Sequence, residues 1–170
     1  MKQIVVTLVG SDKPGIVDRI SKTIYQHQGN WLASNLSKMA GQFAGIIQVM
    51  LPEEKIEQFE VAVNQISDLR CVVHADTETD TSAELRTAYI ELVGNDKPGI
   101  VQEITSAIHQ AGANVVKMHT LCESAPNWGG ELFKAEIVIA FPLDLNAEKI
   151  QQELEAVADD LVVELTVKPA

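Results

Sequence analysis

The sequence contains very little cysteine, and its two thiols occupy non-equivalent positions. Cys71 and Cys122 are its only cysteines. A dense disulfide framework is therefore excluded, and two isolated thiols in a reducing compartment are expected rather than one bridge.

Clusters of basic residues are also absent. The formal charge is −11, divided as −4 over Met1–Glu84 and −7 over Leu85–Ala170. A protein that binds a nucleic-acid backbone needs a basic face to neutralise phosphates. Direct binding of DNA or RNA is therefore not expected, and any role in gene control would act through a protein partner.

Long apolar segments are missing as well. No stretch approaches the roughly 20 apolar residues of a membrane span. The apolar run Ile4–Val9 stops at Gly10–Lys13 without a small-residue cleavage site, which favours a strand over a signal peptide. A cytoplasmic protein with no membrane contact is expected.

Patterns that carry catalysis, metal binding or cofactor binding do not occur. The four histidines form no His-x-x-x-His pair, and no Cys-x-x-Cys or G-x-G-x-x-G is present. Gly10 and Gly15 have the spacing of a P-loop, but Ile16-Val17 replaces the required Lys-Ser/Thr. No nucleophile elbow occurs either. We therefore expect no metal, no cofactor and no enzymatic activity.

The sequence is internally repeated. Shifting it by 84 residues aligns Leu8–Asn30 with Leu92–Asn114, and 13 of the 23 positions are identical. Phe43–Pro52 aligns with Phe133–Pro142 at a shift of 90, so six residues are added before Phe133. The repeat predicts two domains, residues 1–80 and 86–170, joined by a polar linker at residues 81–85.

Each copy is predicted to run strand, helix, strand, strand, helix, strand. Apolar residues recur at helical spacing over residues 16–24 and 100–108 and again over 56–66 and 150–157, whereas residues 133–141 alternate as in a half-buried strand. This order predicts an α+β fold of two ferredoxin-like βαββαβ sandwiches in tandem. Helices cover one face of each sheet, so the other face is expected to meet the second copy or another chain, including a homo-oligomer.

The segment conserved best between the copies is a turn that ends a strand and opens a helix. It reads Gly-Ser-Asp-Lys-Pro-Gly at Gly10–Gly15 and Gly-Asn-Asp-Lys-Pro-Gly at Gly94–Gly99. Asp12 or Ser11 is predicted to cap the helix, Pro14 suits its first turn, and the glycine permits close approach to backbone N–H groups. A helix N-terminus favours a carboxylate, and the aspartate could accept an ammonium group, so the turn is a candidate amino-acid clamp. Asn30 and Asn114 could complete it.

Two plainer interpretations remain open. Asp-x-Pro-Gly is also a good helix start, which duplication would copy without any ligand. In that case the protein could be a scaffold whose sheet faces pair other proteins.

The repeated pattern resembles the ACT domain. The resemblance rests on Gly-x-Asp-Lys-Pro-Gly-Ile-Val between strand and amphipathic helix, followed by Gly-Asn-Trp or Gly-Ala-Asn-Val, and it covers both copies. It implies a ferredoxin-like module that binds an amino acid and regulates enzymes or transcription. The free-standing acidic tandem is most similar to a transcriptional regulator that senses glycine and acts on a LysR-type activator instead of on DNA. A regulator of a metabolic enzyme is the alternative.

The resemblance also implies the ligand-binding residues. In the first copy they are Ser11, Asp12, Lys13, Pro14, Gly15, Ile16, Asn30 and Trp31, and in the second they are Asn95, Asp96, Lys97, Pro98, Gly99, Ile100, Asn114 and Val115. Trp31 faces Val115 in this alignment, so the two sites are expected to differ in size.

A single aromatic residue marks the insertion in the second copy. Trp128 lies in the hairpin Cys122–Leu132, which Pro, Asn and Gly predict to be a long turn. An aromatic side chain on such a loop is a candidate anchor for a protein partner.

Overall fold

A computed structural model describes residues 1–75, 84–124, 130–157 and 161–167. The chain divides into two compact units, Met1–Thr79 and Asp80–Ala170, called unit 1 and unit 2. Residues 81–83 of the predicted linker lie outside the described part, and its last residue, Leu85, is the first residue of a strand.

Unit 1 has two helices and four strands in the predicted order. These are β1 (Lys2–Ser11), α1 (Ile16–Gln26), β2 (Asn30–Met39), β3 (Gln42–Leu51), α2 (Ile56–Asn64) and β4 (Leu69–Ala75), with a short 3-10 turn at Glu53–Lys55.

Unit 2 repeats this order. Its elements are β5 (Leu85–Asn95), α3 (Ile100–Gln110), β6 (Asn114–Ser124), β7 (Glu131–Pro142), α4 (Ala147–Glu155) and β8 (Val162–Val167). The spatial order of the strands is β2-β3-β1-β4 in unit 1 and β6-β7-β5-β8 in unit 2, with antiparallel pairing throughout. The predicted α+β fold with two ferredoxin-like sandwiches is confirmed.

Each unit has its own hydrophobic core between its helices and one face of its sheet. Side chains alternate in strands, so every second residue of β1 points to the helices, and Ile4, Val6 and Leu8 are at most 1% exposed. The buried face of α1 is Ile16, Ile20 and Ile24. These residues are four apart and therefore share one narrow face of the helix.

One apolar residue in each of the predicted helix segments 16–24 and 100–108 does not belong to the buried face. Val17 and its equivalent Val101 are 44% and 41% exposed. Each lies one residue after the buried Ile16 or Ile100 and is rotated by roughly 100° around the helix, away from the sheet.

No helix of the described residues is both long enough and apolar enough to cross a membrane.

Candidate functional site

The repeated turn lies at the same place in both units, between the first strand and the first helix. Gly15 precedes α1 with φ 83° and ψ 9°, and Gly99 precedes α3 with φ 89° and ψ −1°. A residue with a Cβ is strained in this left-handed region, so the conformation selects glycine. A Cβ on either glycine would meet no atom within 4 Å. The space beside each helix start is therefore open.

The first backbone N–H groups of the helices have few partners. Within the described part of the chain, the N–H groups of Ile16, Val17 and Asp18 donate no hydrogen bond. In unit 2 the N–H of Ile100 donates to the Lys97 carbonyl at 3.2 Å. Unsatisfied N–H groups at a helix start carry partial positive charge and attract anions.

A backbone hydrogen bond holds each turn against the neighbouring hairpin. The N–H of Asp12 donates to the carbonyl of Gly41 at 2.9 Å, and the N–H of Asp96 donates to the carbonyl of Glu131 at 2.9 Å. Gly41 immediately precedes β3, and Glu131 is the first residue of β7. Each comes one residue before the partner of the last residue of β1 or β5. The same backbone hydrogen bond therefore holds the turn in both units.

The predicted side-chain cap by Asp12 or Ser11 is wrong. The residue at the N-cap is Gly15, and no side-chain hydrogen bond caps α1. The Asp12 carboxylate instead pairs with the ammonium of Lys38, which lies near the end of β2. Strand pairing places Lys38 beside Asp12, and the ion pair between them forms in place of the predicted helix cap.

Pro14 and Pro98 lie in the turns, ahead of the glycine at the N-cap, rather than in the first turn of the helix as predicted. Ile16 and Ile100 are the first helical residues, and each is 4% exposed. Their side chains belong to the hydrophobic cores and anchor the helix starts. Only their backbone atoms are available to a ligand.

Lys13 links the turn of unit 1 to the connection between α2 and β4. Its Nζ lies 2.5 Å from Oδ2 of Asp68, which precedes β4. Gly10 makes this approach possible, because a Cβ there would lie 2.0 Å from the carbonyl oxygen of Asp68. Arg19, on the first turn of α1, donates to the hydroxyl of Ser67 at 3.4 Å.

A groove of about 490 Å³ lies beside the turn of unit 1. It is lined by Val9, Gly10, Ser11, Gln42, Asp68, Leu69 and Arg70. Four of these residues are exposed and lie in cross-strand pairs on the sheet face opposite the helices: Val9, Ser11, Gln42 and Arg70. The groove thus joins the open sheet face to the end of β1.

The turn of unit 2 has different side-chain partners. Nζ of Lys97 lies 2.7 Å from Oε2 of Glu103, and the two side chains form an ion pair. This carboxylate oxygen is shielded from solvent. The residue equivalent to Lys38 in unit 2 is Cys122. Lys38 pairs with Phe43 across strands, and Cys122 pairs with the equivalent residue Phe133. The pKa of the Cys122 thiol is raised by desolvation and then by the carboxylate of Asp96, with which it interacts. A thiol thus stands beside Asp96 where an ammonium stands beside Asp12.

Four predicted ligand residues are not brought to the turns within their own units. Asn30 pairs with Met50, which in turn pairs with Gln3 at the start of β1. Ser11 lies eight positions after Gln3, which is about 25 Å along a strand. The predicted clamp that joins the turn to Asn30 within one unit is therefore incorrect.

The same register places Asn114 beside Ala140, away from the turn of unit 2. Trp31 and Val115, one position further along, are partly buried and pack against the two hydrophobic cores. These side chains contribute to packing of the sheet rather than to the surface of the turn.

Sequence reasoning missed the charged residues that surround the unit 1 turn. Lys38, Asp68 and Arg70 come from β2, the α2–β4 connection and β4, so they are distant from the turn in sequence. The position of Asp68 one residue before a strand offered no local signal, because only strand order brings it to Gly10. Trp128, the predicted partner anchor, lies outside the described residues.

Within the described residues, no group of three or more His, Cys, Asp or Glu side chains could hold a metal ion.

The sequence profile of the ACT domain matches residues 2–74 and 86–122. Among curated proteins none matches the chain. A crystal structure of an unknown protein from Galdieria sulphuraria is similar with TM-score 0.88 and 24% identity, over 99% of each chain.

A second similar crystal structure is that of a candidate glycine cleavage system transcriptional repressor. Its TM-score is 0.69 and its identity 20%, over 99% of this chain and 98% of that one. Both structures therefore share the doubled fold along their whole lengths.

The repeated turn, the order of elements in both units and the profile match over more than half of the sequence lead to one conclusion: this chain belongs to the ACT domain family.

Proposed function

We propose that this protein is a non-catalytic sensor of a small amino acid, with glycine favoured, that controls transcription of the glycine cleavage system. It would do so by binding a LysR-type activator protein rather than DNA. The observation that carries the proposal is the pair of equivalent turns, each with an open space beside a helix start.

The turns have the chemistry that an amino acid requires. The unpartnered N–H groups of Ile16 and Val17 can donate to a carboxylate. Asp12 and Asp96 lie within the turns that lead to these helix starts, and each could accept an ammonium group. A zwitterion matches this combination of positive helix end and acidic side chain.

Two further observations support a regulator that acts through a protein. The protein of similar fold is described as a candidate glycine cleavage system transcriptional repressor. The formal charge of −11 opposes contact with phosphates and suits a basic protein surface.

Titration calorimetry with glycine, serine, alanine and aspartate tests the sensor directly. We expect heat and a rise in melting temperature with glycine, because a ligand that binds only the folded state stabilises it. Gly15→Ala and Gly99→Ala together should abolish the heat. The absence of heat and of any thermal shift with every amino acid would refute sensing.

The exposed faces of the two sheets favour a second candidate, a scaffold without a ligand. Val9, Ile46 and Val72 are 47%, 46% and 52% exposed on the open face of unit 1. Capture of a purified LysR-type activator with and without glycine separates the two. Capture that is indifferent to glycine supports the scaffold, whereas capture that changes with glycine supports the sensor.

A further inference from the structure

The groove of unit 1 opens onto a sheet that holds no acidic residue. Its volume of about 490 Å³ lies within the range of roughly 300–1,000 Å³ that is typical of small-molecule sites. The strands β1, β2, β3 and β4 contain neither Asp nor Glu. The strands of unit 2 contain five glutamates: Glu91, Glu123, Glu131, Glu136 and Glu164. An anion on the open sheet face of unit 1 therefore meets no carboxylate from the strands.

Arg70 lines this groove and has no ion-pair partner among the described residues. Three lysine or arginine residues lie on strands of unit 1, and the other two are compensated, Lys2 by Glu53 and Lys38 by Asp12. No carboxylate in the described part of the chain lies within ion-pair distance of the Arg70 guanidinium. Arg70 is also exposed, so its charge is available to a ligand.

The acidic residue of the groove does not cancel this charge. Asp68 precedes β4 with φ 67°, a left-handed conformation that aspartate adopts more readily than most residues. Its Oδ2 lies 2.5 Å from Nζ of Lys13, which compensates the carboxylate. The charges of Asp68, Lys13 and Arg70 leave a net charge of +1 at the groove, in a chain whose formal charge is −11.

Neutral hydrogen-bond donors lie near the guanidinium. Arg70 pairs with Val9 across strands, and Ser11 follows two residues later on the same face. Such diagonal positions are about 7–8 Å apart, which a long side chain can reach across. Gln42 is the cross-strand partner of Ser11. The Ser11 hydroxyl and the Gln42 amide can therefore donate to a group held by Arg70, while Val9, 47% exposed, offers an apolar contact beside it.

Unit 2 lacks this combination. By cross-strand register, Val162 and Leu132 occupy the places of Arg70 and Gln42. Both replacements remove a hydrogen-bond donor, and the first also removes the charge. The polar lining is therefore specific to unit 1, unlike the turn that both copies share.

We propose that this groove binds a small aliphatic monocarboxylate. Arg70 holds the carboxylate through two parallel hydrogen bonds, because guanidinium and carboxylate match in this geometry. Ser11 and Gln42 donate to the remaining lone pairs, and the aliphatic part contacts Val9. A net charge of +1 balances one carboxylate, whereas a phosphate monoester carries about −1.5 to −2 at pH 7. The site is separate from the amino-acid sites proposed at the helix starts and requires no ammonium group.

The test is a titration of the full chain with 3-methylbutanoate, followed by backbone amide NMR shifts. Wild type should show saturable shifts at Ser11, Gln42 and Arg70. Arg70→Val should weaken binding by roughly tenfold or more, the effect of losing a charge-assisted pair. Gln42→Leu should weaken it by about two- to tenfold, the effect of losing one neutral hydrogen bond. Both positions are exposed, and unit 2 already holds valine and leucine there, so an unchanged melting temperature is expected.

Lys2→Val is the matched control. It also removes one positive charge from an exposed strand position of unit 1, but Lys2 lies seven positions before Val9, about 23 Å along β1. The ion pair that it loses is exposed and contributes little to stability. This variant should bind 3-methylbutanoate with wild-type affinity.

Three outcomes would overturn the proposal. The first is the absence of saturable shifts in wild type, or equal affinities for Arg70→Val and Lys2→Val. The second is a set of shifts centred on the amides of Ile16 and Val17 that Arg70→Val leaves unchanged, which places the carboxylate at the helix start. The third is tighter binding of inorganic phosphate than of 3-methylbutanoate at Arg70. Because the probe has no ammonium group, none of these results decides whether glycine is sensed.

Discussion

Gly15 and Gly99 show how one residue type sets the geometry of a candidate site. Their φ angles of 83° and 89° belong to the left-handed region, while a Cβ at either would touch nothing within 4 Å. The requirement for glycine therefore comes from the backbone and not from crowding. This is a property that the sequence expresses directly, since Pro-Gly before an apolar helix predicts such a turn.

Replacing either glycine with alanine should destabilise its unit by about 1–2 kcal/mol, the cost of a Cβ in the left-handed region. Urea unfolding measures the change. Gly130→Ala is the control, because a Cβ there also meets no atom within 4 Å and no left-handed φ is required. An alanine at position 15 or 99 that is as harmless as the one at 130 would contradict the strain argument.

The contact between Cys122 and Asp96 can be tested through thiol reactivity. Desolvation and the Asp96 carboxylate both raise the pKa of Cys122, so less reactive thiolate is present at a given pH than in a free cysteine. Alkylation by iodoacetamide should therefore require a higher pH. Asp96→Asn should shift the alkylation profile to lower pH, as followed by mass spectrometry.

Two internal references make this measurement specific. Asp12→Asn, the equivalent change in unit 1, should leave the Cys122 profile unchanged. Cys71 is buried, with a pKa raised by burial to about 11, and should stay unmodified until the protein unfolds. Identical Cys122 profiles in wild type and Asp96→Asn would rule out the contact.

At the scale of elements, strand β1 and the α2–β4 connection approach each other closely. A Cβ at Gly10 would lie 2.0 Å from the carbonyl oxygen of Asp68 and 3.1 Å from Cα of Leu69. Both atoms are backbone, so neither can rotate away. The groove and the Lys13–Asp68 ion pair depend on this approach.

We expect Gly10→Ala to destabilise unit 1 by about 1–3 kcal/mol, the usual cost of forcing extra atoms into a packed contact. Chemical denaturation measures it. The neighbouring change Ser11→Ala, at an exposed position, should cost less than about 0.5 kcal/mol. Equal stability of the two variants would show that the α2–β4 connection can move away from β1 at little cost, and that the contact between Gly10 and Asp68 does not maintain the groove.

The order of helices and strands could be predicted from the sequence, but which of their ends lie close together could not. The repeated apolar pattern predicted α1 and α3 and, through alternation, the buried face of β7 at Phe133, Ile137 and Phe141. The proximity of Asn30 to the turn was inferred from its place at the start of the next strand. Because α1 runs back along the sheet, β2 begins at the end of the sheet opposite the turn, so Asn30 lies far from it.

At the scale of the whole molecule, the duplicated sequence forms two separate hydrophobic cores. Ile20 and Ile104 occupy equivalent positions in them and are both 0% exposed. The cores have no residue in common. Each unit can therefore be destabilised through its own core.

Ile20→Ala and Ile104→Ala should each cost about 2–5 kcal/mol, the usual loss for a buried aliphatic side chain reduced to alanine. Native-state hydrogen exchange should show reduced protection in unit 1 for the first variant and in unit 2 for the second. If either variant lost protection equally in both units, the prediction that each core can be destabilised independently would be wrong.

The sequence by itself determined the duplication, the order of elements, the ferredoxin-like fold and the glycine turns, because these depend on local periodicity and on backbone preferences. Only the tertiary structure decided which charges surround each turn. Lys38 and Asp68 reach the unit 1 turn through strand pairing across 26 and 55 residues of chain. The same pairing brings Cys122 to Asp96, so the aspartates of two turns with nearly identical sequence acquire different side-chain partners.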